Sequence, residues 1–333
     1  MKRKFLVATM AICMSGVSVL SAVGCKNDNK NANELTSSEF LKTAVSSMNN
    51  YGKTHSDYTN FEDFSFTLDG YEKLEENVDM FYTPEGGEEQ MLTCVNVSEH
   101  EYHLKVDVKK INAHLFFDME TTYKTSEMEF PVWEATTAPV SPTYSKEESV
   151  NKLSFGVEND VYYVKCSSST REGETELGEV IVEKYYKTFD GAEEYEEAIL
   201  EVIQEYNGEY VGWMYYLFES SLEFQMLDNF SKYYKDGDRA VIDVNIPMIT
   251  IDRYSGYCAS SNYKFQFAYT ENAFAYGMVK ADYTTENERS SKNCQFKLNS
   301  ESTLTPGANA LDGYTLEESL FYYGYFGYVV PYI

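Results

Sequence analysis

Three hundred and thirty-three residues suffice for one large domain or two modest ones, and for an apolar core held without metal or disulfide. Lys and Arg number 27 against 54 Asp and Glu, a formal charge of −27, and 16% of the residues are aromatic. The charge argues against a nucleic-acid partner, whose phosphates need clustered cations, and the aromatic content argues against general disorder.

The chain opens with Lys2, Arg3 and Lys4, then an apolar stretch from Phe5 to Leu20, then Ser21-Ala22-Val23-Gly24-Cys25. Cationic, apolar and small residues in that order predict a signal peptide over residues 1–24. Its end resembles the lipobox of bacterial lipoproteins: Gly24 precedes the bond to be cut, and Cys25 stands where the family carries diacylglycerol. Ala22 occupies a position where Leu is commoner. The resemblance implies a protein anchored through Cys25 on the extracytoplasmic face of the cell membrane, which would be its first partner. Residues 25–35 are polar and suit a flexible tether, and two acyl chains are enough for stable attachment. Elsewhere the apolar run Tyr210 to Phe218 is too short to span a bilayer. Cleavage would remove three cations and no acids, leaving 24 against 54 and a formal charge of −30. Anionic headgroups would repel such a body; the charge serves solubility, stand-off from the surface, or cation capture.

Residues 36–333 read as a single α+β domain. Thr36 and Glu39 form a capping-box pattern, and Phe40, Leu41, Ala44, Val45 and Met48 recur on one face, so the spacing predicts a helix over Thr36–Tyr51. The period then changes to two. Phe64, Phe66 and Leu68 alternate with polar residues, as do Tyr102, Leu104, Val106 and Val108, and Ile111, Ala113, Leu115, Phe117 and Met119. Met128–Ser149, with Pro131, Pro139 and Pro142, reads as a long irregular loop. Strands are expected again at Val161–Cys166 and Leu177–Tyr186. Tyr195, Ala198, Ile199, Val202, Ile203 and Tyr206 predict a one-sided helix, and Glu209–Tyr234 a second, more buried one. Asp236-Gly237-Asp238 is a turn, followed by strands at Ala240–Ile246, Tyr263–Tyr269, Phe274–Tyr283 and Cys294–Leu298. Short connections such as 270–273 require antiparallel neighbours and suggest a meander, with helices gathered on one face or end of the sheet.

Candidate chemistry is sparse, and no cofactor is expected. His55, His100, His103 and His114 are the only histidines. On a strand, His100 and His103 point to opposite faces, which is poor geometry for one metal. After Cys25, four cysteines remain: Cys94, Cys166, Cys258 and Cys294. Two disulfides are permitted but not required, and Cys258 with Cys294 is the preferred bridge, because the strands between them could bring the two together. Glu193, Glu197, Glu201 and Glu205 follow helical spacing and read as a solvated face. Ser149-Val150-Asn151-Lys152 and Ser261-Asn262-Tyr263-Lys264 both fit SxxK, yet neither KTG nor SDN accompanies them. Without a serine, zinc or nucleotide signature the chain does not read as an enzyme. Its distinguishing feature is 30 Tyr and 20 Phe, including the run Phe321-Tyr322-Tyr323-Gly324-Tyr325-Phe326-Gly327-Tyr328. These rings suit a core, a pocket or a contact surface.

A lipoprotein that opens with a short amphipathic helix, here Glu39 to Met48, and continues into alternating strands and returning helices resembles the LolA and LppX group of lipid-binding proteins. That resemblance implies a large curved antiparallel sheet forming an incomplete barrel, with helices packed over one face and an apolar ligand or lipid between them. The alternative is surface interaction with an exported protein or a carbohydrate through exposed tyrosines, with Trp133 and Trp213 as sugar platforms.

Overall fold

The computed structural model describes residues 33–55, 64–130, 141–202, 230–251, 257–271, 274–299, 302–305, 307 and 309–320. Helix α1 spans Ser37–His55 and begins at the capping pair: the Thr36 N–H donates to Glu39 Oε2 at 2.7 Å, and the Glu39 N–H to Thr36 Oγ1 at 3.2 Å. Phe40, Ala44 and Ser47, three to four residues apart, form its fully buried stripe.

Six strands follow as one meander: β1 (Phe64–Tyr82), β2 (Gln90–Ile111), β3 (His114–Glu129), β4 (Thr143–Glu158), β5 (Val161–Gly173) and β6 (Ile181–Phe189). Helix α2 is described over 192–202. A second meander comprises β7 (Ser231–Asp236), β8 (Arg239–Ile251), β9 (Cys258–Tyr269), β10 (Phe274–Thr284) and β11 (Glu288–Asn299), and β12 (Thr315–Leu316) closes the described chain. Among the described residues these strands form one sheet in the order β12-β6-β5-β4-β3-β2-β1-β11-β10-β9-β8-β7. The sheet is not closed, since β12 and β7 are its two edges. Every pair is antiparallel except β6 with β12. The expected single meander is therefore corrected to two, joined where β1 pairs with β11.

Side chains alternate between faces, so the register assigns every strand residue to one of two. The helix face carries Phe66, Val106, Phe117, Phe155 and Val164 in the first meander, and Phe296, Val279, Phe267 and Ile242 in the second. These join Phe40, Ala44, Tyr195, Ile199 and Val202 in one buried core. Helix α1 covers the second meander, its Phe40 ring lying 5.6 Å from that of Tyr233 and 5.7 Å from that of Tyr269. Helix α2 covers the first through Tyr195.

The opposite face is crossed by described residues between Ser302 and Tyr314. The Thr303 N–H donates to Asp107 Oδ1 at 3.2 Å, the Asn309 and Ala310 N–H groups to Glu158 at 2.6 and 2.8 Å, and Lys165 Nζ to the Ala310 carbonyl at 3.0 Å. Lys165 Nζ also lies 5.4 Å from the centre of the Tyr314 ring. Burial pushes the Asp107 carboxyl up, but Lys105, the Ser65 hydroxyl and the Thr303 N–H outweigh it and hold the group below the ordinary carboxylate value. This strap explains why Ser65, Asp107, Phe116 and Tyr163 are buried on a face that no described helix covers.

Three sequence expectations are corrected. The run Ile111–Met119 is not one strand: Asn112 and Ala113 adopt positive φ, 49° and 71°, and turn β2 into β3. The two-residue turn inverts the alternation: Ile111 pairs with His114 and so lies on the opposite face from Leu115, Phe117 and Met119, although all are odd-numbered. The loop at Met128–Ser149 shrinks, because β3 extends to Glu129 and β4 starts at Thr143. The helix expected over Glu209–Tyr234 gives way to strand β7 at its end, and its other residues lie outside those described, except Phe230.

Candidate functional site

The helix face has two halves. Toward the β2–β3 and β4–β5 turns it is apolar and lies under the helices. Toward the β1–β2 hairpin tip the same face becomes polar and aromatic, and no described element lies over it. The change falls within single strands: on β3, Phe117 and Met119 are buried, whereas Tyr123 and Thr125 beyond them are half-buried. On β4 the sequence passes from Phe155 and Leu153 to Asn151, Ser149 and Glu147.

At the border between the packed and the bare half stands Gly70, with Tyr102, which packs against the core, directly opposite on β2 and the buried Cys294 directly opposite on β11. A Cβ at Gly70 would lie 1.5 Å from Tyr102 Cζ, so the tyrosine ring occupies the space over the glycine. Burial pushes the Tyr102 hydroxyl far above its ordinary value. Burial also raises the Cys294 thiol to about 11, against a hydrogen bond from Tyr102 that lowers it. That thiol is therefore protonated and unreactive at neutral pH.

Beside this trio Tyr123 faces Tyr102 across the β2–β3 ladder and shares a 2.9 Å hydrogen bond with His100 Nδ1. Burial raises the Tyr123 hydroxyl, and the carboxylates of Glu147, Glu127 and Glu72 raise it further. Glu72 also meets Lys292 Nζ at 2.7 Å. In the second meander a row of rings leaves the core along β9: Phe267, Phe265 and Tyr263 are spaced 6.3 Å centre to centre, the last two nearly parallel at 9°. That spacing is the two-residue repeat of a strand. Tyr283 on β10 continues the row. Its hydroxyl is bonded to that of Tyr257, which, with burial, raises it to about 12. Large exposed apolar side chains gather at this same end of the sheet, among them Phe81, Met91, Ile249 and Ile251.

His100 and His103 point to opposite faces as expected, His103 pairing with Asp69 at 2.5 Å on the strap face. Ser149 and Lys152, and Ser261 and Lys264, likewise fall on opposite faces by parity, so neither serine has its lysine as a base. Among the described residues no group of three or more His, Cys, Asp and Glu side chains could hold a metal ion.

The Cys258–Cys294 bridge is corrected. Val279 separates Cys294 from β9, and the β9 residue in that row is Phe265, not Cys258. At about 3.3 Å per residue, the offset along the strand alone exceeds what a disulfide spans. Both cysteines are free thiols, Cys258 exposed and Cys294 buried. Cys25, Trp133, Trp213 and Phe321–Tyr328 lie outside the described residues.

Sequence reading found the tyrosines but not their grouping, because Tyr102 and Tyr123 meet only through the register set at Asn112-Ala113. That turn was the missing signal. No protein-family model matches the chain, and no curated protein matches it either.

Proposed function

We propose that this protein is a membrane-anchored extracytoplasmic lipoprotein, attached through Cys25, that has no catalytic role and recognises its target on the bare half of the helix face. One observation carries the reading. Beneath the helices the face is filled by rings in mutual contact, as Tyr195 is with Phe155, Tyr162 and Phe189, while beyond them it presents half-buried Tyr102, Tyr123, Tyr263 and Tyr283. Tyrosine suits such a surface, since its ring offers apolar area while its hydroxyl stays wet.

A second reading follows the resemblance to the LolA and LppX group: the sheet curves into an incomplete barrel, and an apolar ligand or lipid lies between it and the helices. The apolar strip shared by both meanders favours it, since binding there would be driven by apolar burial.

Native mass spectrometry of the full chain released from zwitterionic detergent micelles separates the two. The surface reading expects chains carrying only the diacylglycerol bound to Cys25. A further lipid held at one per chain would overturn it in favour of the second.

A further inference from the structure

Among the described residues most ion pairs of the sheet lie on one face. On the strap face, acids meet bases: Lys73 with Glu99 at 3.0 Å, Lys105 with Asp107 at 2.8 Å, Lys152 with Glu120 at 2.7 Å, and Arg171 and Lys124 with Glu148. On the bare half of the helix face, acids meet acids. Glu147 stands directly opposite Glu172, and Glu76 directly opposite Glu288. Glu127 lies on β3 beside them, accepting only the Ser145 hydroxyl at 3.1 Å. Among the described strand residues, Lys292 alone brings a Lys or Arg cation to that half, and Glu72 engages it.

Like charges directly opposite one another destabilise a sheet. The strap face also holds such pairs, Asp107 with Asp118 and Lys264 with Lys280, but the acids there have Lys105 and Lys165 beside them, whereas among the described strand residues the acid pairs of the bare half have only Lys292 on their face. The acids of the bare half gather around aromatic rings: the carboxylates of Glu147 and Glu127 act on Tyr123, next to Tyr102. Carboxylates bordering tyrosine rings attract cations twice over, through charge and through the ring face.

We infer that the bare half of the helix face docks a basic polypeptide segment, whose Lys and Arg side chains meet Glu127, Glu147, Glu172, Glu76 and Glu288 and lie against the rings of Tyr102 and Tyr123. Charge complementarity selects this occupant. A second copy of the chain would bring the same acids, and an anionic membrane would add to the repulsion. The inference rests on the proposal that this half is the recognition surface, and adds the partner's chemistry.

The test uses the full chain in zwitterionic micelles, titrated calorimetrically with an oligolysine peptide and, separately, with a mixture of neutral oligosaccharides. The triple variant Glu127→Gln, Glu147→Gln, Glu172→Gln is compared with a strap-face triple of equal charge loss, Glu101→Gln, Asp282→Asn, Asp243→Asn. The helix-face triple is expected to weaken oligolysine binding about tenfold, the sum of three modest contacts, and the control only about twofold. Glu172→Gln alone is expected to raise the melting temperature by relieving its repulsion with Glu147. Equal losses in the two triples, or no binding of oligolysine, would overturn the basic partner. If the oligosaccharides then bind and Tyr102→Ala with Tyr123→Ala abolishes it, the recognition surface survives without that partner. If no helix-face change affects either probe, both proposals fall.

Discussion

Tyr195→Ala is expected to destabilise the protein by about 3–5 kcal/mol, the usual cost of removing a large buried aromatic side chain. Tyr195 is fully buried, and its ring lies 5.2 Å from Tyr162, 5.8 Å from Phe189 and 6.1 Å from Phe155, mostly edge to face. Its hydroxyl donates to the Leu115 carbonyl at the start of β3, so one side chain ties α2 to β3, β4, β5 and β6. Tyr195→Phe keeps the ring and loses only that hydrogen bond, at about 1 kcal/mol. Urea denaturation of both variants separates packing from hydrogen bonding. The account requires Ala to cost several times what Phe costs; equal costs would mean that the ring is not seated in the core.

Gly70→Ala is expected to cost about 1–3 kcal/mol, the range for overpacking, although Ala ordinarily suits a strand better than Gly. The added methyl would overlap the Tyr102 ring, which must swing off β1 and surrender its contact with Cys294. The cost should therefore vanish in the background of Tyr102→Ala, where the space is empty. A double-mutant cycle by thermal denaturation measures this coupling; additive effects would show that the ring does not cover Gly70. The device recurs on the strap face, where a Cβ at Gly156 would lie 2.4 Å from the Tyr163 hydroxyl directly across the β4–β5 ladder. A large ring over a glycine fills both positions with one side chain and fixes the register there.

What the sequence disclosed follows from where water reaches. Helix α1 was legible because its cap and its apolar stripe are local patterns. Most of the second meander was legible because one side of those strands is core, and alternation reports that contrast. The far half of β1, Tyr71-Glu72-Lys73-Leu74-Glu75-Glu76, shows no such contrast: both its faces are at least partly wet, and the residues that justify each charge sit on β2 and β11. The start of β4, Tyr144 to Ser149, reads as loop for the same reason. Part of the candidate surface, Glu72, Glu76 and Glu147, lies on those stretches. Parity correctly separated His100 from His103, but bringing Tyr102 to Tyr123 and Glu147 to Glu172 requires a register that no local pattern states.

The function proposed here depends on one division, a helix face packed at one half and open at the other. Hydroxyl-radical footprinting of the native full chain, read tyrosine by tyrosine, addresses it most directly. Tyr123, Tyr263 and Tyr283 should be oxidised readily, whereas Tyr195 and Tyr269, both fully buried, should react only after unfolding. Oxidation of Tyr195 as fast as that of Tyr123, or equal protection of all five, would contradict the division.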